Sequence, residues 1–231
     1  MIGGDGRDSG DGATAWLDDG VLPALPRWLA PIVAAVRRIT PEDMSKFLPP
    51  PEGGRPGAVL MLFGEAEHGR DLLLIERAAT MRSHAGQPAF PGGAIDADDA
   101  DAIAAALREA EEETGLDPRG VTVFGALPDL WLPPSGFVVT PVLGWWSTPS
   151  PVSAADPAEV ASVHRVRIED LLDPRNRVEV RHPLGYVGPG FEVNDLLVWG
   201  FTAGLISRLF DAAGWTLEWE PARQVDISPY L

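Results

Sequence analysis

The feature that most constrains this chain is a stretch at residues 100–114 that is rich in Ala and Glu and contains neither Gly nor Pro. Ala, Leu, Glu and Arg lose little freedom on entering a helix, so the stretch predicts one. Gly115 stops it and Pro118 follows, which is how helices are commonly punctuated at the C-terminus. Upstream lies the turn Pro91-Gly92-Gly93. Before it, short apolar runs at 58–63 and 71–77 flank the segment 64–69 and predict a hairpin. Downstream, 121–127, 138–146 and 160–166 predict strands, followed by a short helix at 169–172 and a long amphipathic one at about 200–213. Strands with a few interspersed helices predict an α/β (α+β) class, a mixed sheet between helical layers. No internal repeat is present.

The N-terminal part divides differently. Residues 1–20 are rich in Gly, Asp, Ser and Ala and offer little to bury, which predicts a disordered tail. Over 26–39, Trp28, Leu29, Ile32, Val33 and Val36 recur at helical spacing, and Arg37 and Arg38 suit the negative end of the helix dipole. Pro49 to Pro51, Gly53, Gly54, Pro56 and Gly57 read as a linker. The expected division is a tail at 1–20, a helix and linker packed on the domain at 21–54, and one domain at 55–231.

Charge and composition exclude several functions. The net charge is −16, with 34 acidic residues against 18 basic ones. A nucleic-acid or anionic-membrane surface needs clustered Lys and Arg, so neither partner is expected. An anionic small molecule would need a local device: a metal, a few placed arginines or backbone amides. The chain has no Cys, which removes disulfides, thiolate catalysis and Cys-type zinc sites. The first residues lack the basic and apolar stretches of a signal peptide, no segment has the roughly twenty apolar residues of a membrane span, and a cytoplasmic protein is expected.

On the predicted helix, Glu109, Glu112 and Glu113 stand at i, i+3 and i+4 and share one side. Ile103, Leu107, Ala110 and Thr114 form a second stripe for the core. Three like charges near a helix C-terminus repel one another and oppose the dipole. A hard divalent cation with oxygen ligands, Mg²⁺ or Mn²⁺, would offset both. An acidic run by itself is more often a solvated face; its surroundings decide the matter.

Arg108-Glu109-Ala110-Glu111-Glu112-Glu113-Thr114-Gly115-Leu116 resembles the end of a Nudix box, R-E-U-x-E-E-x-G-U, with Ala110 small for its place. The box opens at Gly93, runs one residue longer than the general pattern and has Asp99 as its upstream acid. Both departures resemble the coenzyme A pyrophosphatases. Leu73-Leu74-Ile75-Glu76-Arg77-Ala78, Arg82, Gly86 and Phe90-Pro91-Gly92-Gly93 are similar to the signature of that subfamily, with Ile75 where it has Thr. Val139-Thr140-Pro141-Val142 and Trp199-Gly200-Phe201-Thr202-Ala203 look like further segments of it, so the resemblance spans roughly 55–210.

The resemblance implies a Nudix α/β/α sandwich and metal-dependent hydrolysis of a pyrophosphate bond, with coenzyme A or a derivative split into 3′,5′-ADP and 4′-phosphopantetheine. Glu109, Glu112, Glu113 and Asp99 are the expected metal set. Glu112 is the expected base, with Glu109, Arg108 and the loop acid Glu159 as the other catalytic candidates. Arg77, Arg82, Gly92 and Gly93 are expected to hold substrate; Gln87 is a weaker contact and His84 carries no role. Two rivals are another nucleoside diphosphate linked to X, such as ADP-ribose, and a non-catalytic Nudix-fold module. Ile75 and the segment Trp131-Leu132-Pro133-Pro134 leave the first rival open; the intact glutamates oppose the second. A homodimer is one assembly that the resemblance leaves open.

Overall fold

The computed structural model describes residues 14–78, 86–133, 135–183, 185, 187–220 and 223–228. In chain order they form β1 (Trp16–Leu17), α1 (Ala30–Val36), α2 (Pro41–Met44), β2 (Arg55–Ala66), β3 (Gly69–Arg77), β4 (Pro88–Ala89), β5 (Gly92–Ala94) and α3 (Ala102–Thr114). There follow β6 (Val121–Ala126), β7 (Leu130–Leu132), β8 (Phe137–Trp146), β9 (Val160–Arg167), α4 (Ile168–Leu172), β10 (Arg177–Arg181), β11 (Val187–Val193), β12 (Leu196–Val198), α5 (Gly200–Ala212) and β13 (Gln224–Asp226).

Among the described residues, nine strands make one sheet in the order β1-β6-β8-β2-β3-β4, with β5 on β2, β7 on β8 and β9 on β3. β2 and β8 run parallel, from Arg55 opposite Phe137 to Phe63 opposite Trp145. Its remaining pairs are antiparallel, so the sheet is mixed. A second sheet, β12-β11-β10-β13, flanks α5.

Strand alternation decides which residues meet which helix. Ala58, Leu60 and Leu62 of β2, with Leu73, Val142 and Trp146, pack with Ala105, Ala106 and Ala110 of α3. Met61, Phe63, Leu72 and Leu74 face the other way, into a core shared with Ile32 and Val36 of α1 and Leu205, Ile206 and Leu209 of α5. The result is the expected α/β/α sandwich. Each fully buried Leu or Phe contributes about 1.5–3 kcal/mol. Ala105, Ala106 and Ala110 of α3 are wholly buried and let the helix lie close on the sheet.

The structure corrects several expectations. Residues 1–13 lie outside the described set, but the last part of the expected tail is ordered, because Trp16 and Leu17 pair with Ala126 and Gly125. The helix expected over 26–39 starts as a 3-10 turn at Arg27–Leu29 and becomes α-helical only at Ala30, under the constraint of Pro26 and Pro31. The hairpin is tighter than expected: β2 and β3 continue until only Glu67 and His68 separate Ala66 from Gly69. Ile103 and Leu107 are only partly buried, and the α3 core stripe is Ala105, Ala106, Ala110 and Thr114. The second sheet was not foreseen.

Candidate active site

The loop from β5 into α3 rests on two glycines. A Cβ at Gly92 would lie 2.7 Å from Val59 Cα, so only Gly lets this backbone cross β2 so closely. A Cβ at Gly93 would lie 2.5 Å from Glu109 Cδ. The absence of a side chain there lets the Glu109 carboxylate lie against the loop. At the far end of α3, Gly115 adopts φ 68° and its N–H donates to Glu111 O, which terminates the helix.

The N-cap of α3 is Asp101, whose carboxylate accepts from Ala104 N at 2.9 Å. Asp99 stands just before it and does another job. Its two oxygens accept from Arg108 Nε at 3.0 Å and Nη2 at 2.9 Å. The remaining Arg108 donors reach Glu109 Oε1 and Glu112 Oε2, each at 3.0 Å, and the Ala94 carbonyl at 3.2 Å. One guanidinium therefore fastens the loop to two glutamates of the helix. The hydrogen bonds with Asp99, then Glu109, hold Arg108 well above its ordinary pKa, and the same bond to Arg108 lowers that of Asp99.

The three helix glutamates have different surroundings. Glu113 is buried, its side chain 6% exposed, and accepts from Gly92 N at 3.0 Å. Arg77 Nη1 lies 3.6 Å from its other oxygen. Burial pushes the Glu113 carboxyl up to about 7, against the pull of the Gly92 N–H and Arg77; the Glu109 and Glu159 carboxylates push the same way as burial. Burial also raises Glu109, opposed mainly by Arg108. Glu112 is the exposed member, at 60%. Glu159 is exposed, and its backbone carbonyl accepts from Ala78 N at 2.8 Å, beside Arg77 at the end of β3.

The loop and helix thus bring together Gly92, Gly93, Asp99, Arg108, Glu109, Glu112 and Glu113, with Arg77 and Glu159 alongside. Arg82 and His84 lie outside the described residues. Gln87 lends its backbone carbonyl to Arg77 N at 3.1 Å. Among the described residues, no three acidic or histidine side chains stand close enough to share one ion. The reason is visible: Arg108 draws Glu109 and Glu112 to itself while Glu113 turns inward to Gly92. The donor set still fits a hard divalent cation. Every side-chain donor is a carboxylate oxygen, two of the carboxylates are destabilised by burial, and among the described residues Arg77 and Arg108 are the cations that oppose the clustered negative charge.

One neighbouring feature escaped the sequence reading. Ser162 of β9 donates to Glu76 Oε2 at 2.8 Å and lies 2.7 Å from His164 Nε2, while the register of β9 on β3 shifts between Glu76 and Arg77. Bulges of this kind re-aim side chains. No local signal marks it, because the partners are far apart in sequence and meet only across a strand pair.

Comparison with known proteins gives the family. The family description "NUDIX domain" matches residues 54–184. Nudix hydrolase NudL of Cronobacter sakazakii is 44% identical over 145 residues, 60% of this chain and 72% of that protein. NudL of Escherichia coli K12 is 41% identical over the same shares. The crystal structure of a Nudix hydrolase from M. smegmatis, RenU, aligns with a TM-score of 0.48 and 20% identity over 75% of this chain and 97% of that one. With more than half its length matched and relatives above 40% identity, the chain belongs to the Nudix family and is a pyrophosphohydrolase.

Proposed function

We propose that the chain hydrolyses the pyrophosphate of coenzyme A or a derivative, giving 3′,5′-ADP and 4′-phosphopantetheine. The observation that carries this reading is Arg77, an arginine of the subfamily signature, lying 3.6 Å from Glu113 beside the Gly92–Gly93 turn. Nudix hydrolases generally use divalent ions such as Mg²⁺ or Mn²⁺, and here Glu109, Glu112 and Glu113 would be the ligands. Such an ion, when bound, neutralises pyrophosphate charge and acidifies the attacking water.

The chain's own residues supply the rest. Arg77, with Arg82, grips the phosphates, because a guanidinium matches phosphate geometry and the two stand beside the turn that opens the catalytic loop in the sequence. Arg108 fixes the rotamers of Glu109 and Glu112, and Asp99 fixes Arg108. Glu112, the exposed glutamate, takes the proton as water attacks phosphorus in line, with Glu159 as the alternative base. Gly92 and Gly93, which bring the loop backbone against β2 and the Glu109 carboxylate, form the side of the site at which substrate is held.

A second reading, hydrolysis of another nucleoside diphosphate such as ADP-ribose, rests on Ile75, which is fully buried where the signature has a hydroxyl. A substrate panel with Mg²⁺ and product identification separates the two. Coenzyme A should be preferred over 3′-dephospho-coenzyme A by one to two decades if an arginine reads the 3′-phosphate, the worth of one charged hydrogen-bonded pair at ~1.5–3 kcal/mol. Arg77→Ala should then erase that preference; an equal loss on both substrates assigns Arg77 to the pyrophosphate instead. Much faster cleavage of ADP-ribose or a dinucleotide would overturn the coenzyme A assignment.

A further inference from the structure

Away from the Nudix loop, a cavity of about 370 Å³ opens between the second sheet and α5. None of the residues around it belongs to α3 or to the loop before it. Ser207, Arg208, Asp211 and Trp219, on its helical side, fall beyond the matched Nudix region at 54–184.

Its floor is Arg177, the first residue of β10. This arginine is only 9% exposed, and its guanidinium lies 4.7 Å from the Trp219 ring centroid and 5.5 Å from that of Phe191. Nη2 donates to Ser207 Oγ at 2.6 Å, but Nε is buried without an acceptor. Among the described residues no carboxylate stands within ion-pair distance of it. A buried cation left in this state is costly, and burial accordingly depresses its pKa, with only the more distant Asp211 charge opposing.

Neither of the acids that line the same space bonds Arg177 directly. Asp211 accepts from the Thr216 hydroxyl and, at 3.5 Å, from Ser207; Glu179 accepts from Gln224 at 3.2 Å. The second guanidinium, Arg208, donates to the Asp43 carbonyl at 2.8 Å. Two arginines and two acids leave the lining balanced in formal charge. A single negative charge fits such a balance better than a double one. The unsatisfied edge of a planar guanidinium matches a planar oxyanion, and Val187 and Pro189 at the rim offer apolar surface for its body.

We propose that this cavity is a binding site for a small organic carboxylate, anchored on Arg177 and covered by Trp219. The proposal does not depend on which pyrophosphate the enzyme cleaves.

The test titrates the full chain with sodium benzoate, sodium acetate and sodium phosphate against sodium chloride at matched ionic strength. Binding is followed by calorimetry and tryptophan fluorescence. Benzoate should give saturable heat and a fluorescence change that Trp219→Phe removes. Arg177→Met should weaken benzoate at least ~10-fold, the scale of one charge-assisted hydrogen bond. Should that variant fail to fold, Glu179→Gln provides the second reading: removing a lining negative charge should tighten benzoate by about two- to fivefold. Absence of saturable heat, equal binding by Arg177→Met, no tightening in Glu179→Gln, or phosphate binding better than both carboxylates would overturn the assignment.

Discussion

Arg108→Lys isolates geometry from charge at the catalytic helix. Lysine keeps the positive charge but has one compact donor head, whereas the Arg108 fork reaches Asp99 twice and Glu109, Glu112 and the Ala94 carbonyl once each. A lysine can satisfy one of these carboxylates well, so at least two charge-assisted bonds are lost. Each is nominally worth ~1.5–3 kcal/mol, but the side chain is 28% exposed and water replaces part of the loss. A net destabilisation of about 1–2 kcal/mol is expected, read as a lower urea midpoint with an unchanged slope. The larger effect should be on turnover. Misplacing Glu109 and Glu112 by about 1 Å costs on the order of 10²-fold when positioning supplies the rate. Turnover is measured at saturating Mg²⁺ on the best substrate of the panel. A variant within threefold of wild type in turnover would refute the view that Arg108 acts through its fork.

Chelation with EDTA should abolish hydrolysis and added Mg²⁺ or Mn²⁺ should restore it; undiminished turnover after rigorous chelation excludes the metal set. Glu112→Gln should leave the fold intact, relieved of one like charge, while turnover falls by at least ~10²–10³. Activity within a few-fold of wild type would remove Glu112 from the chemistry. Asp101→Ala should cost about 1 kcal/mol through loss of the α3 cap, with kcat at saturating metal unchanged in the folded fraction. If Asp99→Ala proved the larger loss of stability with no effect on kcat, their assigned roles would be exchanged.

The parts legible in the sequence were those with local causes. α3 was readable because fifteen residues rich in good helix formers and free of Gly and Pro end at a glycine that takes a left-handed turn. The long strands were readable because their apolar runs exceed what a loop can bury. The unread parts depend on distant partners. β10 to β12 hold Gly188, Pro189 and Gly190, which weaken any strand signal, and they pair only because α5 covers them. Asp99 and Asp101 are equivalent by spacing, and only the reach of Arg108 from two turns along α3 decides which one caps. Glu109 and Glu113 could be placed on one helix side, but their burial beneath the loop follows from the close crossing of Gly92 over β2.

The parallel pairing of β2 with β8 has a consequence for how the molecule is made. Arg55 waits for Phe137, and everything between them, hairpin, glycine loop and α3 included, must emerge first. At ~5–20 residues per second of synthesis, β2 spends roughly 4–16 s with one long edge lacking its neighbour. Its apolar run at 58–63 is then open to pairing with another nascent chain. The opposite edge closes early, through β3 at residues 63–66 and then through β5, with Gly92 opposite Val59 and Gly93 opposite Ala58. The turn that builds the catalytic loop thus leaves the growing sheet one open edge instead of two, and chains altered at Gly92 should be lost to aggregation during synthesis before any defect in turnover is seen.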